Sequence, residues 1–194
     1  ILIAIVKYIE DQRNVAHDTL TTGVRVILLV EDNVRYYSSF LPVLYSELID
    51  PSERLLGEGG NLSHKLVRLR ARPKILLCST FEEAWERFND YGPHVLGLIA
   101  DIEFPRGGAL APDAGFALAR AIREHAPDMP LMLQSSRPEN EAPARAVGAS
   151  FLLKGSPTLN ADLRRFMVEQ FAFGDFVFRL RDRTQVGRAV DLRS

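Results

Sequence analysis

Five short, almost wholly apolar runs constrain this chain more than any other feature. Val24-Arg25-Val26-Ile27-Leu28-Leu29-Val30 is the clearest. Lys74-Ile75-Leu76-Leu77-Cys78, Val95-Leu96-Gly97-Leu98-Ile99-Ala100, Pro130-Leu131-Met132-Leu133 and the shorter Ser150-Phe151-Leu152-Leu153 come after it. A strand with one wet face alternates apolar and polar residues, whereas continuous apolar runs read as strands buried on both faces of a parallel sheet. Between the runs, apolar residues recur every three or four positions. Val34, Tyr37, Leu41, Leu44, Tyr45 and Leu48 mark one helix, in which Pro42 removes a donor and predicts a kink. Thr80-Phe81-Glu82-Glu83 is a capping box ahead of Ala84, Trp85 and Phe88. Phe116, Ala119 and Ile122 mark a third helix, and Ala142 to Val147 a short fourth. Leu159, Leu163, Phe166, Met167 and Val168 mark a fifth. The order β-α, five times over, predicts an α/β fold: a doubly wound five-stranded parallel sheet with helices on both faces.

Composition narrows the function classes. With 194 residues, 46% apolar and 25% charged, the chain can bury a real core, which excludes disorder, collagen and a disulfide scaffold. The single cysteine, Cys78, cannot form an intrachain disulfide, and its apolar flanks suggest a buried small hydrophobe; a reducing cytoplasm is the expected compartment. A net charge of −1 provides no field to steer the chain onto nucleic acid or anionic lipid, so neither is an expected partner. Lys7 interrupts the opening apolar run after six residues, too few to cross a bilayer. His17, His64, His94 and His125 are scattered without zinc-ligand spacing. Gly107-Gly108 and Gly57-Glu58-Gly59-Gly60 lack the lysine of a phosphate-binding loop. Arg68, Arg70 and Arg72 read as a solvated face.

The chain opens without Met and reads as a piece of a longer, multidomain protein. Residues 1–23 are expected to be a helical lead-in or the end of a preceding domain, with Ile1, Ile5, Tyr8 and Ile9 on one face. Residues 174–194 alternate around a polar turn, as in a hairpin or linker extension. Two stretches exceed the minimal β-α unit: an insert at 51–73 and a long loop at 104–114.

In a doubly wound sheet, ligands sit beyond the carboxyl ends of the strands. The first strand ends in Glu31-Asp32, the third in Asp101, the fourth in Ser135-Ser136 and the fifth in Lys154. Three converging carboxylates repel one another unless a cation joins them. A hard divalent ion such as Mg²⁺ takes one or two carboxylates and keeps waters for an incoming phosphoryl group. A lysine can pair with a carboxylate or with phosphate on it. Together these residues describe an aspartate that accepts a phosphoryl group, with metal and lysine offsetting the charge.

With these residues in place, the sequence resembles the receiver domain of two-component response regulators. The resemblance covers residues 24–173 and rests on Leu29-Val30-Glu31-Asp32-Asn33, Asp101-Ile102-Glu103-Phe104-Pro105, Ser135-Ser136 and Phe151-Leu152-Leu153-Lys154, in that order. It implies a flavodoxin-like fold with Asp101 as phosphoacceptor. Glu31 and Asp32 would be the acidic pair that holds Mg²⁺ with Asp101, and the Glu103 backbone carbonyl a further ligand. By the same resemblance Ser135 is the hydroxyl that reports phosphorylation, Phe151 the aromatic switch and Lys154 the phosphate-contacting lysine. The implied partner is a histidine kinase or phosphotransfer protein. The implied output is a switched surface, used for docking or homodimerisation, formed by the fourth helix, fifth strand and fifth helix. Two features depart from the family pattern: Gly155 stands where a proline with a cis bond is usual, and the loop after Asp101 is longer.

Two other functions fit parts of the pattern. A receiver-like docking or dimerisation module would keep the fold without the chemistry. An aspartate-nucleophile phosphohydrolase would use Asp101, but such enzymes place the nucleophile on the first strand with a second aspartate two residues on, where this chain has Glu103. The acidic triad with its serine and lysine favours the non-enzymatic phosphoacceptor.

Overall fold

A computed structural model describes residues 2–56, 72–171, 176–179 and 185–189. In chain order the elements are α1 (Leu2–Thr22), β1 (Val26–Val30), α2 (Val34–Leu56), β2 (Lys74–Cys78), α3 (Phe81–Tyr91), β3 (Val95–Asp101), β4 (Phe104–Arg106) and β5 (Ala109–Ala111). They continue with α4 (Ala114–His125), β6 (Leu131–Ser135), α5 (Glu141–Ala146), β7 (Ser150–Leu153), α6 (Leu159–Phe171), β8 (Phe176–Arg179) and β9 (Gln185–Ala189). Five strands form one parallel sheet in the order β2-β1-β3-β6-β7. All five apolar runs are therefore strands of one doubly wound, flavodoxin-like sheet.

The continuous apolar texture has a direct cause. Along β1, Val26, Leu28 and Val30 face a core shared with α3, α4 and α5, while Ile27 and Leu29 face a second core shared with α2 and α6. All five β1 residues are fully buried. Burying each such side chain is worth about 1.5–3 kcal/mol, so this strand is held from both sides and anchors the Glu31-Asp32 pair at its carboxyl end. The chain leaves β1 toward β2 and returns past β1 to β3, so the connections diverge at the β1/β3 boundary and open a crevice at the strand carboxyl ends.

α1 does more than lead in. β2 is an edge strand, whose outward amides need partners. Asp11, fully buried on α1, supplies one by accepting from the Ile75 amide at 2.9 Å. Its carboxylate also accepts from Arg72 Nη2 at 2.7 Å and from Tyr45 Oη at 2.9 Å, and Lys74 Nζ lies 3.7 Å away. The buried face of α1 runs through Ala4, Asp11, Val15 and Thr19, whereas Ile5 and Ile9 are exposed. One expectation is corrected here. Arg72 is buried in an ion pair, because the edge strand places it against Asp11; Arg68 and Arg70 lie outside the described residues.

The two inserts resolve differently. Residues 51–56 extend α2, and 57–71 lie outside the described residues. The stretch expected as a loop at 104–114 contains an antiparallel ribbon, β4–β5, turning at Gly107-Gly108. The Gly107 amide donates to Glu82 Oε1 at 2.8 Å, and the Arg106 guanidinium lies 4.7 Å from the Phe81 ring centroid, which ties the ribbon to α3. β8 and β9 pair antiparallel, as the alternation near the C-terminus predicts. The capping box forms with a variation: Thr80 Oγ1 accepts from the Glu83 amide, and Glu83 reaches back to the Ser79 amide. Among the described residues no helix is long and apolar enough to cross a membrane.

Candidate functional site

The strands that meet the crevice deliver polar groups at their carboxyl ends. β1 stops at Val30 and hands the chain to Glu31, which is fully buried, and to Asp32, which is exposed. Asn33 then turns the chain into α2, its side chain accepting from the Arg35 amide at 3.0 Å. Asp101 closes β3, Ser135 closes β6, and Lys154 comes directly after β7. Carboxylate oxygens of Glu31, Asp32 and Asp101 all lie within 4.8 Å of one another.

Lys154 joins the two buried acids. Its Nζ donates to Glu31 Oε2 at 2.6 Å and to Asp101 Oδ2 at 2.6 Å, and lies 4.0 Å from the Tyr36 ring centroid. The ammonium is thus held by two carboxylates and an aromatic face, nearly out of water. Glu31 Oε2 also accepts from Gln134 Nε2 at 3.1 Å, and Glu31 Oε1 accepts from the Asn33 amide at 3.2 Å. Asp101 Oδ1 accepts from the Ile102 amide at 2.7 Å.

One ammonium does not offset the cost of burying these acids. Burial, with the negative charge of Asp101 adding to it, pushes the Glu31 carboxyl up from 4.5 to about 7, against Lys154 and the Asn33 amide. Burial also raises Asp101, opposed by Lys154 and by the amides of Ile102 and Glu103. Such a site gains from a second cation. The donor set is all oxygen, contributed by three carboxylates, which fits a hard divalent ion such as Mg²⁺. Gln134 Oε1, buried beside Glu31 without a hydrogen-bond partner among the described residues, leaves an unused acceptor in the same region.

The remaining sequence-predicted residues lie around this centre. The Glu103 side chain is half-buried and faces Arg137, with Nη2 at 3.8 Å from its carboxylate. Ser135 Oγ accepts from the Arg137 amide at 3.1 Å and from Asn140 Nδ2 at 2.9 Å. The carbonyl of Ser135 accepts from the Lys154 amide at 2.8 Å, which locks β6 and β7 together at the site. Phe151 is half-buried against the core shared with α3, α4 and α5. No peptide bond among the described residues is cis; after Lys154 the chain turns at Gly155 with φ +84°, a conformation that favours glycine.

Sequence reasoning missed Gln134 and Tyr36. The signal for Gln134 is a lone carboxamide inside a buried strand, immediately before Ser135. Tyr36 sits one residue from the apolar stripe of α2 and carries no signal of its own.

No family model matches the sequence, and no curated protein matches it. Solved structures do. A response regulator receiver domain protein from Clostridium thermocellum superposes at TM-score 0.54 with 16% identity, over 77% of this chain and 95% of that one. The NtrX receiver domain from Brucella abortus gives TM-score 0.48 and 21% identity over 75% and 96% of the two chains. The response regulator TrrA from Thermotoga maritima, in complex with Mg²⁺-BeF, gives 0.45 and 18% over 74% and 99%. The likeness to the first establishes the fold, that of receiver domains.

Proposed function

We propose that the chain is a phosphoacceptor receiver in a two-component phosphorelay. Asp101 would take a phosphoryl group, with Mg²⁺, from a histidine kinase or phosphotransfer protein. The observation that carries this reading is Lys154, bonded at 2.6 Å to both Glu31 and Asp101 beside the three-carboxylate cluster. An ordinary strand-end salt bridge needs one acid; this lysine joins two, beside a third carboxylate, and leaves the cluster underneutralised.

The chemistry comes from these groups. The Ile102 amide holds Oδ1 of Asp101 and Lys154 holds Oδ2, so the carboxylate is fixed before the donor arrives. One carboxylate oxygen bonds to phosphorus, the bond from phosphorus to the donor nitrogen breaks, and the donor keeps that electron pair. Bound Mg²⁺ supplies charge neutralisation for the transferring group. Glu31 and Asp32, with Asp101 and the Glu103 carbonyl, would hold it. Lys154 then exchanges its Asp101 contact for a phosphoryl oxygen while keeping Glu31.

The output would start at Ser135. Its hydroxyl is bonded to Arg137 and Asn140, in the turn that leads into α5. Drawing Ser135 toward a phosphoryl oxygen breaks both bonds and frees that turn, with Phe151 repacking beside it. The α5-β7-α6 face would change accordingly, for a partner protein or a second copy of the chain.

The test is ¹⁹F NMR of the chain with beryllium fluoride and Mg²⁺. A bound resonance that requires Mg²⁺ and vanishes in Asp101→Asn is expected. No bound resonance, under conditions where Mg²⁺ itself binds, overturns the proposal.

A further inference from the structure

We infer that Gln134 is a positioning residue that makes this site select Mg²⁺ over Ca²⁺, by holding Glu31 so that only one of its oxygens remains available. The inference rests on the metal-binding reading of the Glu31, Asp32 and Asp101 cluster. Gln134 is fully buried on β6, directly after the apolar Leu131, Met132 and Leu133. A carboxamide there is unfavourable unless bonded. Its Nε2 spends one donor on Glu31 Oε2, on a strand whose register sets Gln134 opposite Asp101.

Counting lone pairs on Glu31 gives the consequence. Oε2 accepts from Gln134 at 3.1 Å and from Lys154 at 2.6 Å, which fills it. Oε1 accepts only from the Asn33 amide at 3.2 Å, among the described residues, and keeps one lone pair. Glu31 therefore offers one oxygen, not two. Mg²⁺ takes carboxylates through single oxygens in a tight octahedron, whereas Ca²⁺ gains from carboxylates that bind through both. Lys154 alone cannot impose this, because it is shared with Asp101. Among the described residues the Gln134 side chain serves Glu31 alone, and its backbone is fixed within the sheet by the Ile102 amide donating to its carbonyl at 3.1 Å.

The experiment measures Mg²⁺ and Ca²⁺ affinities by calorimetry for the native chain, Gln134→Met and Gln134→Leu, with circular dichroism to verify folding. Methionine keeps the length without the donor; leucine is the second variant should methionine not fold. The native chain is expected to favour Mg²⁺. The folded variant is expected to lose roughly tenfold in the Mg²⁺ to Ca²⁺ affinity ratio, the scale of supporting contacts around metal ligands. A merely structural role would alter stability and leave that ratio unchanged. A native chain that binds Ca²⁺ as tightly as Mg²⁺, or a folded variant whose ratio stays within about twofold of native, overturns the role of Gln134 while leaving the metal site standing. A native chain that binds neither ion overturns both.

Discussion

The raised Glu31 carboxyl makes stability depend on pH in a direction opposite to the usual carboxylate. In the folded chain Glu31 titrates at about 7, and its ordinary value is 4.5. Between those values the folded state binds more protons than the unfolded state, so stability falls as pH rises through this window and levels off above it. From pH 5 to pH 8 this one group removes on the order of 2–3 kcal/mol, at 1.36 kcal/mol per pKa unit. The assay is urea unfolding in EDTA, monitored by fluorescence of Trp85, the single tryptophan. Glu31→Gln serves as the reference, since it has nothing to titrate. The native chain is expected to lose stability relative to Glu31→Gln as pH rises, and saturating Mg²⁺ at pH 8 is expected to recover it. A difference between the two chains that stays flat across pH 5 to 8 would refute the reasoning: Lys154 would then neutralise the buried acids unaided.

Three substitutions probe the surrounding structure. Lys154→Met leaves Glu31 and Asp101 facing each other without a cation; at pH 8 in EDTA it should cost about 3 kcal/mol in urea unfolding, and less at pH 5 where Glu31 is protonated. Asp11→Ala strips the buried partner from Arg72 and Lys74, whose side chains are 4% and 3% exposed. It should cost about 3–5 kcal/mol while leaving Mg²⁺ affinity unchanged, because the pair lies at the opposite end of the strands. Gly115→Ala places a Cβ against the backbone carbonyl of Asp101 and within 2.7 Å of Ile102 Cα. Backbone must shift there, so a loss of about 1–3 kcal/mol in thermal or urea unfolding should accompany weaker Mg²⁺ binding in calorimetry.

Periodicity in a sequence reports which faces of an element are buried, and that decides which parts of this molecule were legible. Strands buried on both faces leave continuous apolar runs, so β1, β2, β3 and β6 were legible, as was the half-buried edge strand β7 by its short apolar run, and with them the polar residues that end them. Glu31, Asp32, Asp101, Ser135 and Lys154 stand out because each interrupts an apolar run. Gln134 was not legible as a functional residue, since its partner Glu31 lies 103 positions away and only the sheet order brings them together. The inward face of α1 was not legible for a related reason: an edge strand needs an acceptor, and Asp11 takes the buried position. The ribbon at 104–111 went unseen because three-residue strands are too short to show alternation, although Gly107-Gly108 is a hairpin-turn pair.

The central claim is that Asp101 accepts a phosphoryl group with the help of Mg²⁺. The most direct measurement incubates the chain with acetyl phosphate, with and without Mg²⁺, and reads intact mass. The account predicts the gain of one phosphoryl group that requires Mg²⁺ and is absent in Asp101→Asn. A gain that persists in Asp101→Asn, or no gain at any time point alongside no beryllofluoride binding, would contradict it.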